Sequence, residues 1–185
     1  LDVRFCGSVD AIRALNEGRC EIAGFHTLSQ PNDKSLSAIT YKPLLKPGHH
    51  KLIGFAKRTQ GLLVRTGNPL NIQSLADVVN GRFRYVNRGL GTGTRLLLDE
   101  LLKNQNIQAD QLKGYQRQEL SHNAVATCVA SGQADAGLAI ESAALVLFWP
   151  DGCHCWFPFD AVNVPNIVAY VKQCSGLDKC SRMSA

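Results

Sequence analysis

A chain of 185 residues with 45% apolar side chains is long enough to bury a substantial core, as one large domain or two small lobes. No apolar run approaches the roughly 20 residues that span a bilayer. The net charge of +5, carried by scattered Lys and Arg, suits a small anionic guest better than a nucleic-acid groove.

The first residues, Leu1 to Cys6, alternate in strand fashion and do not read as a signal peptide, so the chain is expected to start inside a fold. Gly7-Ser8 turns the chain, Val9 to Leu15 has the apolar spacing of a short helix, and Gly18 ends it. Cys20 to Phe25 reads as a buried strand. Together these form a β-α-β unit with a parallel pair, which places Gly7, Ser8 and His26 at carboxyl strand ends, where open α/β sheets bind ligands. Residues 27 to 50, with prolines at 31, 43 and 47, read as a loop with one short helix near Leu36 to Tyr41, and His49-His50 is expected in solvent. Two strand-like runs between Leu52 and Val64 cross into a second lobe. Gly67-Asn68-Pro69 is a turn, and Ser74 caps a helix through Val79.

The stretch Tyr85-Val-Asn-Arg-Gly-Leu-Gly-Thr-Gly-Thr-Arg95, followed by Leu96-Leu-Leu-Asp-Glu-Leu-Leu102, is the most informative part of the chain. A strand from Arg82 to Val86 gives way to a glycine turn and a buried helix. Gly91 and Gly93 let backbone N–H groups approach a guest, and a helix start supplies free donors and a positive dipole end. Thr92 and Thr94 add hydroxyls; Arg88 and Arg95 add fixed charge. A P-loop needs Lys followed by Ser or Thr after its last glycine, and here Thr94-Arg95 follows Gly93. The dinucleotide fingerprint fails at Thr94, where a third glycine or alanine belongs. A capped helix after a tight turn is the plain alternative.

Ala109 to Leu112 and Tyr115 to Leu120 are short apolar elements. Ser121-His122-Asn123 opens a helix over Ala124 to Ala130 that Gly132 ends, and Ala134 to Ile140 is a strand with Glu141-Ser142 at the next helix start. Ser121, His122 and Glu141 are thereby candidates for the same strand-end site. Trp156 to Val171 is strand-like, interrupted by Pro158 and Pro165, and Lys172 to Ala185 reads as a frayed end. Of the cysteines, Cys6, Cys20 and Cys128 lie in apolar surroundings and read as small core residues. Cys153-His154-Cys155 groups soft ligands without the paired C-x2-C spacing of a structural zinc site, so no metal and no cofactor are expected. The odd cysteine count points to the cytoplasm, with the periplasm as the alternative.

The runs Gly61-Leu-Leu-Val-Arg-Thr-Gly-Asn-Pro69, Arg84 to Leu102, His122-Asn-Ala-Val-Ala126 and Ala130-Ser-Gly-Gln-Ala-Asp-Ala-Gly-Leu-Ala-Ile-Glu141 together resemble the periplasmic-binding-protein-like domain related to molybdate and tungstate binders. That domain occurs alone and fused to helix-turn-helix DNA-binding domains. The resemblance implies a type II binding-protein fold, α/β in class, with two α/β lobes joined by two crossing strands. It assigns residues 1–57 with 161–185 to a first lobe truncated at its N-terminus, and 58–160 to the second. It implies a non-catalytic domain that holds a small tetrahedral oxyanion through Gly7-Ser8, the Arg88 to Arg95 turn and the region of Ser121-His122, with a transporter or a DNA-binding domain as partner. The rivals are a phosphoribosyltransferase-like enzyme on the same scaffold and the effector domain of a helix-turn-helix regulator. No nucleophile paired with a base and no metal carboxylate cluster is evident for the enzyme.

Overall fold

The computed structural model describes residues 2–27, 33–57, 59–148, 156–158 and 166–172. Two sheets organise them. The smaller contains β1 (Ile22–His26), β2 (His50–Lys57) and β8 (Asn166–Lys172) in the order β1-β8-β2, both pairings antiparallel. The larger contains β3 (Gln60–Val64), β4 (Tyr85–Arg88), β5 (Gln118–Glu119), β6 (Ala136–Ile140) and β7 (Trp156–Pro158) in the order β5-β4-β6-β3-β7. The chain passes between the sheets twice, from β2 to β3 and from β7 to β8, as expected of two lobes joined by crossing segments.

In the larger sheet β4 runs parallel to β5 and β6, so the carboxyl ends of these three strands lie along one edge, beside the amino end of the antiparallel β3. α3 (Leu75–Asn80), α4 (Gly93–Asn104), α5 (His122–Ala130) and α6 (Glu141–Phe148) belong to this half. α5 packs down on Gly137, where a Cβ would lie 2.7 Å from Val125 and 3.0 Å from Val86. Tyr85, one residue before Val86 and therefore on the opposite sheet face, lies toward Arg95 and Asp99 of α4. Leu62, Leu63, Val86, Leu98, Val125 and Val129 fill the core between them. Ser74 caps α3 in a reciprocal capping box with Asp77.

The smaller core joins Ile12 and Leu15 of α1 (Ser8–Asn16) to Ala23 and Phe25 of β1 and to Tyr41 of α2 (Leu36–Tyr41). The α2 bounds and the Ser35 cap agree with the short helix read in the proline-bearing loop.

Four expectations are corrected. Leu1 to Cys6 is not a strand over its described residues: 2–7 form no regular element and Phe5 is 99% exposed. An alternating pattern makes a strand only where an edge is there to receive it; among the described residues β1 pairs with β8 alone, antiparallel, and no parallel β-α-β unit is formed. Cys6 is exposed for the same reason, whereas Cys128 is buried as read. The fourth strand begins at Tyr85, because Arg82 takes φ 50° at the turn that ends α3. Cys153-His154-Cys155 and the tail beyond Lys172 lie outside the described residues.

Candidate functional site

The glycine turn between β4 and α4 meets the start of α1. Gly7 is the N-cap of α1, and the Val9 N–H donates to the Gly91 carbonyl at 3.2 Å. Gly91 sits at φ +78°, in the left-handed region that glycine enters without strain. Gly93 opens α4 so close to β1 that a Cβ there would lie 2.5 Å from the His26 Cβ. Ser8, 4% exposed, places its Oγ 3.3 Å from His26 Nδ1. Tyr41 lies against Ser8, and its burial pushes the phenol up to about 12, a rise that the Ser8 contact partly offsets. Gly7, Ser8, His26, Gly91 and Gly93 are thus brought together, although Gly7-Ser8 follows no strand.

Thr92 is the N-cap of α4: its Oγ1 accepts from the Arg95 N–H at 3.3 Å and donates to the Gly89 carbonyl at 2.7 Å. Thr94 is buried in the first turn of α4, at 2% exposure. The guanidinium of Arg95, also 2% exposed, is turned inward, stacked 3.9 Å over the Tyr115 ring with its Nε 3.4 Å from Asp99 Oδ1. The Tyr115 hydroxyl donates to the same Asp99 oxygen at 2.7 Å.

A second group lines the carboxyl edge of the larger sheet. Arg88, at the end of β4, donates from Nη1 to the Glu119 carbonyl at 2.7 Å. Its Nε is buried without a hydrogen-bond partner, and burial holds the guanidinium below the ordinary arginine value. Arginine stays charged through such a shift, and no carboxylate among the described residues forms an ion pair with Arg88. Ser121 is exposed and caps α5 through the Ala124 N–H at 3.0 Å. His122 follows it, half-buried, as the first residue of α5. Glu141 is exposed in the first turn of α6, where a carboxylate complements the helix dipole.

The matching family model is a PBP superfamily domain, over residues 1–150. The chain belongs to this PBP superfamily. An uncharacterized Bacillus subtilis (strain 168) protein, YvgK, is 35% identical over 141 residues, 76% of this chain and 46% of its own length. The chain therefore spans about half of that relative. The aliphatic sulphonate binding protein SsuA from Escherichia coli superposes with TM-score 0.61 at 15% identity, over 92% of this chain and 53% of that one. The regulatory domain of Synechocystis PCC6803 CcmR, solved with 2-PG, superposes with TM-score 0.60 at 14% identity, over 95% and 74%. At these identities the two structures establish the fold: a type II periplasmic-binding-like architecture shared by solute-binding proteins and by ligand-binding domains of regulators. No helix among the described residues is long and apolar enough to cross a membrane.

Reading the sequence for candidate residues missed Tyr41, Asp99 and Tyr115; of these Asp99 had a local signal, four residues after Arg95 on the same helix.

Proposed function

We propose that this PBP superfamily domain binds a small tetrahedral oxyanion, with molybdate and tungstate among the candidates, between its two sheets. It does so without catalysis, and reports occupancy to a transporter or to a DNA-binding partner. Arg88 carries the reading. A half-buried guanidinium with an unpaired Nε and no carboxylate partner, one residue before the glycine turn that opens α4, is a positive charge held ready for an anion. The start of α1 stands opposite across the Gly91 contact, so one guest can touch elements of both sheets. A ligand that does so favours the closed arrangement by its differential affinity. The Escherichia coli neighbour is an aliphatic sulphonate binding protein, and a sulphonate is itself an oxyanion.

The rival enzyme reading gains one observation, the 3.3 Å approach of Ser8 Oγ to His26 Nδ1, which has the reach of a nucleophile and a base. At 4% exposure the hydroxyl is closed to a substrate in this conformation, and the binding reading stands ahead.

Thermal unfolding with molybdate, tungstate, sulfate and phosphate tests the proposal. A bound anion at a hundred times its dissociation constant adds about 2.7 kcal/mol, a shift of roughly 5 to 11 °C for a chain of this size. Arg88→Gln is expected to weaken the bound anion about tenfold or more. An Arg88→Gln protein that stays folded and binds as the wild type does removes the central observation.

A further inference from the structure

Gln60 opens β3, on the larger-sheet side of the passage from β2. It is 0% exposed, and neither its Nε2 nor its Oε1 has a hydrogen-bond partner. Among the described residues it is the one side chain with two polar atoms buried in this way. A carboxamide carries two N–H donors and an acceptor oxygen into the interior, and a buried polar group left unpaired disfavours the arrangement that buries it. Such a group calls for a physical reason.

Its place in the fold supplies one. Gln60 lies opposite Ile140, the last residue of β6, and the Glu141 N–H beside it donates to the Thr59 carbonyl at 3.2 Å. It therefore stands at the sheet edge where β4 and β6 end and the glycine turn begins. Leu62 and Val64 share its sheet face. Val64 lies opposite Ala136, and Ala136 opposite Tyr85, so this is the face turned toward α4. That helix also meets the smaller half, through Gly93 against His26 and through Glu100, which accepts from the Leu36 N–H. With the two halves in contact, Gln60 is sealed.

We propose that Gln60 is a built-in brake on closure: contact between the halves seals its carboxamide without a partner, separation of the halves gives the amide to water, and a bound guest has to offset the difference. The inference rests on the closure reading above and adds what sets its equilibrium. Apparent affinity is reduced by the fraction of molecules already in the competent arrangement, so the brake weakens binding and makes contact between the halves depend on the guest. An apolar side chain of the same length lifts the brake. A polar residue beside a ligand cleft ordinarily weakens binding when it is removed; here the sign is reversed.

Native-state hydrogen exchange and anion titration of the whole chain carrying Gln60→Met test this. The Val9 and Leu36 amides, which bond between the halves, are expected to exchange about tenfold or more slowly than in the wild type, the usual effect of relieving one unpaired buried group. The Leu62 to Val64 amides of β3 slow by a similar factor, and whichever of molybdate, sulfate and phosphate binds the wild type binds the variant more tightly. If β3 slows while Val9 and Leu36 do not, the amide stays sealed when the halves separate and the brake is lost. If all of these amides exchange faster, an ordered water satisfies Gln60 and the brake is equally lost. Should Gln60→Met not fold, Gln60→Glu decides: a carboxylate costs more to seal, so Val9 and Leu36 are expected to exchange about tenfold or more faster, and wild-type rates overturn the inference. If no anion binds, the anion reading falls, while exchange in the protein alone still decides the brake.

Discussion

Arg95 was read as a charged fork at the mouth of a helix, a candidate for gripping an oxyanion, and the fold directs it elsewhere. Its guanidinium lies over the Tyr115 ring at 3.9 Å and faces Asp99, with 2% of the residue exposed. The Asp99 contact is an i,i+4 pair that helix spacing offers, but the stacking on Tyr115, twenty residues away in sequence, is revealed only by the three-dimensional contact. Arg88, seven residues earlier, differs in its charge partner: among the described residues no carboxylate forms an ion pair with it. Arg95→Gln is therefore expected to act on stability. It removes a buried stacked cation and leaves Asp99 without its guanidinium, a loss of about 2 kcal/mol, while changing anion affinity less than about threefold. Urea unfolding and anion titration of the same protein separate the two effects. A variant of wild-type stability that has lost binding would return Arg95 to the ligand.

Among the elements, those with a strong period or a cap were legible. The helices after Ser74 and Ser121 begin where the caps predict, and the Leu36 to Tyr41 helix is recovered inside a proline-bearing loop. What the period could not supply is how strands are tied together. The starts of β4 and β6 are clamped by Arg84 and Asp135, fifty-one residues apart: Nη2 reaches Oδ1 at 2.7 Å, and Nε and the backbone N–H reach Oδ2 at 3.0 and 2.8 Å. These bonds hold the Asp135 carboxyl below the usual carboxylate range, the Arg84 side-chain hydrogen bond contributing most. A carboxylate whose folded value lies below its unfolded one, near 3.9, stabilises the fold above that unfolded value. The contribution is lost as the pH falls through the folded value. Asp135→Asn is thus expected to be less stable than the wild type above about pH 5, with the gap narrowing on acidification below about pH 4. Denaturant midpoints at several pH values check it; a gap that stays constant down to acid pH would mean that the carboxylate's charge is not what matters.

At the scale of the whole molecule, the two-lobe class was legible because a strand, a glycine turn and a leucine-rich helix follow one another from Tyr85 to Leu102, as an α/β lobe requires. The balance between the lobes was not, since it depends on which strand edges find partners. The smaller sheet has β1 and β2 at its edges, and it leaves Ile22, Leu52, Ile53 and Phe55 at 57, 54, 42 and 73% exposure. In β3 of the larger sheet all five residues are buried. The links from α1 and α2 of the smaller core to the glycine turn and α4 include single polar bonds, Val9 N–H to Gly91 and Leu36 N–H to Glu100, and each is worth only about 1 kcal/mol net. Local opening follows such differences in buried apolar contact. Native-state hydrogen exchange in low urea is accordingly expected to release Ala23 and Phe25 of β1, and the bridging amides of Val9 and Leu36, at lower denaturant than Leu62 to Val64 of β3. A ligand that touches both sheets slows the first set toward the second, because the bound state must be dissolved before the smaller sheet can open. If both sets exchange with one free energy before any ligand is added, the sheets unfold as a unit, and ligand-driven closure has no separate element to act on.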